Sequence, residues 1–329
     1  MLSKDKNNEQ KNRNIHSVSA TELLNMNITE LPTLIDPIFP KIGVVAVAGS
    51  SDVGKSAFLR QMAISISLEK EKFLGWQIDA THHSALYVST EDDDFATSYL
   101  LNKEVGVREK TSDYKRLRYL FDTDNLIKKL EDELASYPAD CVIIDAFSDL
   151  FQGDMNSANS VRTYINRFSK LARTHECLFL FLHHTGKKTG TRPPSKEHLL
   201  GSQGFEAKMR TVIELRKDYE SPEYRHLCIV KGNYLPEKYK NESYKLVFHD
   251  DLTFTNTGER TDFRDLYHDP EREKEDRIKA KNRAIELREK EFSFKNISKT
   301  MKAEGFKHCS SSTIHNWFKD SDLHSSTIL

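Results

Sequence analysis

The sequence predicts an α/β fold with a mainly parallel sheet and an antiparallel extension, followed by a small all-helical domain. Short apolar runs recur along the chain up to Gly201, and segments with the length and spacing of helices separate them. Continuous apolar runs are typical of strands buried on both faces of a parallel sheet. Beyond Gly201 the apolar runs follow one another without helices between them, which indicates antiparallel strands that extend the sheet.

The predicted strands and helices alternate along the chain. The strands of the parallel part are expected at residues 43–48, 85–89, 117–121, 141–145 and 177–182. The helices between them are expected at residues 56–68, 92–103, 124–136 and 160–174. The antiparallel strands are expected at residues 211–215, 226–231, 244–249 and 252–256. In sheets of this kind ligands bind beyond the carboxyl ends of the parallel strands, so functional residues are expected there.

Composition divides the 329 residues into four segments. Residues 1–30 are expected to form a flexible tail with one short helix at 21–25, because most of their side chains are polar or charged. Residues 31–258 hold the alternating pattern and are expected to form the main domain. Residues 259–275 are polar and are interpreted as a linker, and residues 276–329 as the small domain.

Charge and cysteine usage limit the class of protein. The formal net charge is −1, so a contact with nucleic acid requires a local patch of basic residues. The four cysteines form no Cys-x-x-Cys pair, and Cys141, Cys177 and Cys228 lie in apolar runs, which is typical of buried thiols in a reducing compartment. The chain has no apolar stretch near the ~20 residues that span a bilayer, and no apolar signal segment. A cytoplasmic protein without membrane contact is expected.

A glycine-containing phosphate-binding motif follows the first predicted strand of the main sheet. It comprises Gly49, Ser50, Ser51, Asp52, Val53, Gly54, Lys55 and Ser56, and Ala57 continues into the next helix. The N–H groups at the start of that helix favour phosphate oxygens. We expect Lys55 to contact the β- and γ-phosphates of ATP and the Ser56 hydroxyl to hold the Mg²⁺ that bridges them. Asp52 is expected to face away, since a carboxylate beside the phosphates would weaken binding.

Two carboxylates follow other strands of the sheet. Asp145 ends the apolar run at 141–145 and is the candidate Mg²⁺-associated acid. Ala146 follows it, so the glutamate that many ATPases carry at that position is absent. Glu91, just beyond the strand at 85–89, is the candidate base that accepts a proton from the attacking water. The alternative is that Glu91 and the three aspartates after it complement the positive end of the next helix.

Several motifs occur in a fixed order over residues 31–256. They are the phosphate-binding loop, Leu86-Tyr87-Val88-Ser89-Thr90-Glu91-Asp92, Ile143-Ile144-Asp145, Phe181-Leu182-His183-His184-Thr185-Gly186-Lys187, Gly201-Ser202-Gln203 to Arg210, and Lys231-Gly232-Asn233. This set resembles the RecA-like P-loop ATPases, in particular the RepA-type hexameric helicases of plasmids, phages and mobile elements. The resemblance implies a DNA-dependent ATPase, acting as a helicase or translocase, that forms a homo-oligomeric ring, a hexamer, around single-stranded DNA.

The resemblance also implies roles for individual residues. His184 corresponds to the sensor of the γ-phosphate, and His183 to a histidine packed inside the fold. Arg210, with Lys208 as the alternative, corresponds to an arginine that reaches the nucleotide of a neighbouring subunit.

Two further segments match family elements that contact DNA or nucleotide. The loop 186–200 matches the position of a DNA-binding loop, and its candidate contacts are Lys187, Lys188, Arg192 and Lys196. Its alternative is a solvated loop without a ligand. Lys231 and Asn233 match an element that some relatives place near the nucleotide, and their alternative is an exposed hairpin edge.

The C-terminal segment resembles a helix-turn-helix module. Its expected apolar core comprises Ile297, Met301, Phe306, Ile314, Trp317 and Phe318. The last helix then presents five polar side chains, Ser312, Thr313, His315, Asn316 and Lys319, to phosphates or base edges of duplex DNA. A docking module for another protein is the alternative.

Two functions of the whole chain remain open at this point. The first is the DNA-dependent ring ATPase. The second is an ATP-controlled, sequence-specific DNA-binding regulator, or an initiator of replication or recombination, without unwinding activity. A degraded ATPase that serves only as a scaffold is disfavoured, because Lys55, Glu91 and Asp145 are all present.

Overall fold

A computed structural model describes residues 17–106, 111–186, 189–200, 203–267, 270–306 and 309–325. The described residues fall into two compact units. One lies within Met1–Thr189 and Pro194–Leu266, and the other within Gly190–Pro193 and Tyr267–Leu329. Among the helices described, none is long and apolar enough to cross a membrane.

The first unit is built on a large mixed sheet. The strands of the chain are β1 Thr33–Ile35, β2 Phe39–Pro40, β3 Gly43–Gly49, β4 Lys72–Phe73, β5 Trp76–Gln77, β6 Ala85–Ser89, β7 Leu117–Leu120, β8 Cys141–Asp145, β9 Leu178–His184, β10 Thr211–Lys217, β11 Tyr224–Gly232, β12 Glu242–Phe248 and β13 Phe254–Asp262. The helices are α1 Ala20–Asn25, α2 Lys55–Ser67, α3 Asp94–Val105, α4 Leu126–Ser136, α5 Phe147–Leu150, α6 Ala158–Thr174, α7 Gln203–Lys208, α8 Pro270–Glu289, α9 Phe294–Ala303 and α10 Ser311–Ser325.

The strand order of the large sheet is β13-β12-β11-β10-β3-β9-β8-β6-β7. The six strands from β10 to β7 in that order pair in parallel, and β11, β12 and β13 extend the sheet antiparallel. The predicted α/β class, with a mainly parallel sheet and an antiparallel extension, is confirmed. The parallel strands all end at one edge of the sheet, and β3 leads into the phosphate-binding loop at that edge.

Apolar side chains fill both faces of the sheet, as the continuous apolar runs predict. On β3, Val45 and Val47 pack on the face that carries α2. Val44 and Ala46 point to the opposite face, which is covered by α4 and α6. The helix α6 meets that face through residues at helical spacing, namely Val161, Ile165, Phe168 and Leu171.

The second unit contains the three C-terminal helices, as predicted. Its core consists of Ala280, Ala284, Leu287, Ile297, Met301, Cys309, Ile314 and Trp317, with Phe294, Phe306 and Phe318 packed against it. The hydroxyl of Ser310 accepts a hydrogen bond from the N–H of Thr313 at 3.1 Å and so caps the start of α10.

One segment differs from the sequence-based expectation. The polar residues 259–275, interpreted as a linker, include the end of β13 and the beginning of α8. The polarity of β13 arises because it is the edge strand of the sheet, where charged side chains meet water, as in the ion pair between Lys245 and Glu259 at 3.0 Å. The proline-containing stretch before β3 forms the small β1–β2 hairpin and contributes Leu34 and Phe39 to the core.

Candidate active site

The phosphate-binding loop runs between β3 and α2 and is shaped by its two glycines. Gly54 has a φ of +96°, which is unfavourable for residues with a side chain. A Cβ at Gly49 would lie 2.5 Å from the carbonyl oxygen of Leu215, so only glycine allows β10 to pass this closely. Arg225 supports the loop from β11, because its Nε donates a hydrogen bond to the carbonyl of Val53 at 3.0 Å.

Lys55 is buried at the first position of α2, and its Nζ donates to the carbonyl of Ser50 at 2.9 Å. Burial lowers the pKa of Lys55, and the charges of Asp145, Glu91 and Asp52 oppose that change. An ammonium group has three donors, so Nζ retains hydrogens for phosphate oxygens. Asp52 is exposed.

Asp145 lies at the end of β8 beside the P-loop helix. The Tyr87 hydroxyl donates to its Oδ2 at 2.5 Å. Its Oδ1 is buried, and among the described residues it accepts no hydrogen bond of normal geometry. Burial raises the pKa of Asp145, while the hydroxyls of Tyr87 and Ser56 oppose that rise. The Asp145 carboxylate oxygen without a hydrogen-bond partner and the nearby Ser56 hydroxyl are oxygen ligands of the kind that a Mg²⁺ ion bound to ATP phosphates takes from a protein.

The residues present therefore fit Mg²⁺ bound mainly through ATP and water. In the part of the chain that is described, no group of three or more histidine, cysteine or acidic side chains forms a metal cluster.

Glu91 stands at the same edge of the sheet, just beyond β6. Its Oε1 is 3.8 Å from Nε2 of His184 at the end of β9. Partial burial and the negative charges of Asp145 and Asp149 raise the pKa of Glu91. A carboxylate with a raised pKa is a stronger base, which suits proton abstraction from water.

Of the aspartates after Glu91, Asp93 has a clear structural role. It is the N-cap of α3, and its Oδ1 accepts a hydrogen bond from the N–H of Ala96 at 2.8 Å. Asp94 lies in the first turn of the same helix. The helix-end interpretation therefore describes these aspartates, whereas Glu91 faces His184.

The two histidines at the end of β9 differ in environment. His183 is buried, stacks on Phe205 with a ring-centroid distance of 4.3 Å, and its Nε2 is 2.6 Å from the carbonyl of Leu200. Burial lowers the pKa of His183 to about 4, so it is neutral near neutral pH and Nε2 donates to that carbonyl. His184 is 31 % exposed and close to Glu91. The geometry agrees with a packed His183 and with His184 as the residue available to nucleotide.

The loop 186–200 leaves β9 and is tied back onto the sheet. An isolated bridge between Thr185 and Leu199 closes its base. Buried Glu214 on β10 accepts from the N–H of Ser195 at 3.0 Å and contacts Nδ1 of His198 at 3.1 Å. Of the four candidate DNA contacts, Arg192 and Lys196 are exposed, whereas Lys187 and Lys188 lie outside the described residues.

The P-loop lies at the edge of the sheet where the parallel strands end. Arg210 lies at the opposite edge, where those strands begin. Its N–H donates to the carbonyl of Val44, near the beginning of β3, at 2.9 Å. The P-loop follows the far end of β3 at Gly49, and the five residue steps from Val44 to Gly49 correspond to about 17 Å of strand. The N–H of Asn233 donates to the Arg210 carbonyl at 3.0 Å, and Gly232 pairs with Thr211, so Lys231 and Asn233 lie at this second edge as well.

Lys231 and Asn233 are not brought to the nucleotide site of their own chain, because antiparallel β11 turns them to the far end of β10. The Lys231 ammonium instead pairs with the Glu206 carboxylate at 2.8 Å. The sequence motif alone contains no information about which end of the sheet β11 reaches.

Sequence reasoning also missed side chains that support the site. Tyr87 lies in the apolar run of β6, and nothing in the local sequence distinguishes it from an ordinary aromatic residue of the core. Arg225 is far from the P-loop in sequence. Arg60 on α2 forms a buried ion pair with Glu104 on α3 at 2.7 Å, which links the P-loop helix to the helix after Glu91.

Replacement of Tyr87 by phenylalanine is expected to weaken the binding of Mg²⁺ at the site. The hydroxyl occupies Oδ2 of Asp145 and so leaves Oδ1 for the metal. Removing a group that hydrogen-bonds a metal ligand typically lowers metal affinity or activity 10–100-fold. We therefore expect the ATPase rate of the variant to reach half its maximum at a Mg²⁺ concentration about tenfold higher or more. Titration of ATPase rate with Mg²⁺ measures this.

Tyr119→Phe is the matched control for that change. Tyr119 stacks on Tyr87 with a centroid distance of 5.3 Å, and its hydroxyl has no hydrogen-bond partner among the described residues. Its Mg²⁺ dependence should equal that of the parent. Equal Mg²⁺ curves for Tyr87→Phe and the parent would rule out the role assigned to Tyr87.

The fold and the site together define a P-loop ATPase with a RecA-like core. A family model described as "AAA domain" matches residues 9–190, more than half of the chain, and the chain therefore belongs to the AAA-domain family. Among solved structures, the ATPase domain of G40P is similar with a TM-score of 0.51 and 15 % identity, over 66 % of this chain and 85 % of that chain. No curated protein matches the chain in sequence.

Proposed function

We propose that the chain is a DNA-dependent ATPase of the RepA-type helicase branch, which assembles into a hexameric ring and acts as a helicase or translocase. One observation carries the proposal. Lys55, Asp145 and Glu91 converge at one edge of the sheet, while Arg210 stands at the opposite edge. About 17 Å of strand separates Arg210 from the P-loop of its own chain. A γ-phosphate that Arg210 contacts would therefore belong to another copy of the chain.

The reaction follows from the placement of these groups. The P-loop N–H groups and Lys55 hold the phosphates of ATP, and Ser56 and Asp145 would hold Mg²⁺. A Mg²⁺ ion held there would supply positive charge that offsets the negative charge of the phosphates. Glu91 accepts a proton from the water that attacks the γ-phosphorus, the bond to the β-phosphate oxygen breaks, and ADP leaves. His184, beside Glu91, is positioned to detect whether the γ-phosphate is present.

Replacement of Arg210 by alanine is expected to lower ATP turnover about 10³–10⁵-fold while leaving ATP binding intact, because an arginine finger acts on charge that develops in the transition state. Steady-state rates and calorimetry measure the two quantities. Lys208→Ala, the alternative finger, is the comparison, and its rate should stay near the parent rate.

Mixing variants tests whether Arg210 acts on another subunit. A Lys55→Ala chain keeps Arg210, and an Arg210→Ala chain keeps the P-loop, so a mixed assembly contains some complete sites. We expect activity in the mixture that neither variant shows alone. Absence of this recovery would show that Arg210 does not act across an interface.

The function as a whole is tested with the purified chain. A DNA-dependent ring ATPase hydrolyses ATP faster with single-stranded DNA and at higher protein concentration, since sites are completed by assembly. A rate of ATP hydrolysis that changes neither with single-stranded DNA nor with protein concentration would refute the proposal. Strand displacement of a forked duplex then tests for unwinding.

A second candidate function rests on the face of α10. Ser312, His315, Asn316 and Lys319 are exposed on this helix, with Ser310 capping its start. A helix with this polar face can dock in the major groove of duplex DNA and read base edges. An ATP-controlled regulator or initiator would protect a preferred duplex sequence in footprinting and show no strand displacement, and the ring ATPase would show the reverse.

A further inference from the structure

The helix α3 exposes two aromatic rings one turn apart. Phe95 is 82 % exposed and Tyr99 is 66 % exposed. Positions four residues apart lie on the same face of a helix, so the rings form one apolar patch. In α3, Thr97 and the side chain of Glu104 are buried, and Leu101 and Val105 pack partly against the core. The aromatic face of α3 is therefore turned to solvent.

This aromatic patch lies directly beside the nucleotide site. Phe95 follows Glu91 by four residues, and Asp93 and Asp94 form the start of α3 between them. Glu91, Asp93 and Asp94 are exposed, so the patch has an acidic border. Large exposed aromatic residues beside a site are unfavourable in water and typical of a surface that a partner covers.

The opposite edge of the sheet carries a surface of complementary character. Tyr234 is 61 % exposed, and the Arg210 guanidinium lies 5.9 Å from its ring centroid. Lys208 lies just before Arg210 and is partly exposed. One edge is thus aromatic and acidic, and the other is aromatic and basic.

We infer that Phe95 and Tyr99 are the anchor through which a second copy of this chain docks head to tail, with its Tyr234 and Arg210 surface covering the patch. The inference rests on the proposed function and adds the docking residues to it. If Arg210 of one copy reaches the γ-phosphate beside Glu91 of another, the surface around Arg210 must lie against the surface around Glu91. Tyr234 lies against Arg210, and Phe95 follows Glu91 by four residues at the start of α3.

The contact uses different surfaces on the two copies and is therefore heterologous. Repetition of a heterologous contact closes a ring when the rotation fits, so every copy in a ring receives one patch and supplies the other. Opposite charges at the border orient the two surfaces, and the buried aromatic rings supply most of the affinity.

The test is the MgATP-dependent assembly of full-length chains, followed by sedimentation velocity. Phe95→Ser combined with Tyr99→Ser should raise the protein concentration needed for assembly about tenfold or more, the effect of losing interface anchors. Both residues are exposed, so binding of MgATP to the single chain should persist in calorimetry. Phe95→Tyr combined with Tyr99→Phe retains the rings and should assemble like the parent.

A mixing experiment identifies the partner surface. Tyr234→Glu alone should also fail to assemble, because it places a negative charge against the acidic border. Mixed with the Phe95→Ser, Tyr99→Ser chain, it should form a pair in one-to-one ratio and nothing larger, since one intact contact remains between the two variants.

Four results would overturn the inference. Parent-like assembly of the Phe95→Ser, Tyr99→Ser chain refutes it while leaving the proposed function intact. Failure of the mixture to pair shows that the rings meet another surface, and loss of assembly on changing exposed Leu24 of α1 instead would assign the contact to that helix. A parent chain that stays monomeric with MgATP and DNA removes both the inference and the proposed ring.

Discussion

Replacement of Lys55 by alanine is expected to abolish the Mg²⁺-dependent binding of ATP. The Lys55 ammonium is buried at the start of α2 and is held by the carbonyl of Ser50, so its charge is fixed where phosphates would lie. Without it, the carboxylates of Asp145 and Glu91 face the polyphosphate with no nearby lysine charge to offset them. Loss of one partner of a desolvated charge pair lowers affinity at least about 30-fold. Calorimetric titration with MgATP measures this.

The control for this change is Lys103→Ala. Lys103 lies in the last turn of α3 and is exposed, so its removal takes away an equal charge outside the site. The Lys103→Ala chain should bind MgATP like the parent, and both variants should unfold at similar temperatures. Parent-like affinity of the Lys55→Ala chain would show that the loop between β3 and α2 does not hold the phosphates.

The main sheet follows from the sequence because its strands are long, apolar and bounded by helices. The runs at Ala85–Ser89 and Cys141–Asp145 give strands with the expected bounds. The two-residue strands β2 and β4 are too short to show any periodicity, and β2 contains a proline. The edge strand β13 carries polar side chains, so its composition does not differ from that of a linker.

The residues at the nucleotide-binding edge of the sheet could also be predicted from the sequence. Lys55 belongs to a local motif, and Asp145 and Glu91 each stand at the end of an apolar run, so the topology of a parallel sheet brings them together. The place of Arg210 depends instead on β10 pairing with β3, a contact between residues far apart in the chain. The hydroxyl of Tyr87 and the guanidinium of Arg225 act through geometry that no local pattern encodes.

The second large effect is expected for Glu91→Gln, which should bind ATP like the parent and lower kcat about 10²–10⁴-fold. The amide keeps the size of the side chain and removes only the proton acceptor. Glu91 contacts His184, and burial together with the charges of Asp145 and Asp149 raises its pKa, so its ionised form is a stronger base than an ordinary glutamate. Single-turnover hydrolysis with preformed enzyme and ATP separates this loss from any change in binding.

Glu91 is interpreted either as the catalytic base or as a charge that complements the positive end of α3. The two interpretations predict different effects when the charge of Glu91 is removed. If Glu91 only complemented the positive end of α3, Glu91→Gln would change stability by about 0.3–1 kcal/mol and leave kcat unchanged. Asp93→Asn is the matched control, because asparagine also caps the helix and the N–H of Ala96 keeps its acceptor. The Asp93→Asn chain should turn over like the parent. Hydrolysis by Glu91→Gln at the parent rate would place the base elsewhere, with Asp149, which accepts a hydrogen bond from the Thr90 hydroxyl at 2.7 Å and whose charge acts on Glu91, as the next carboxylate to test.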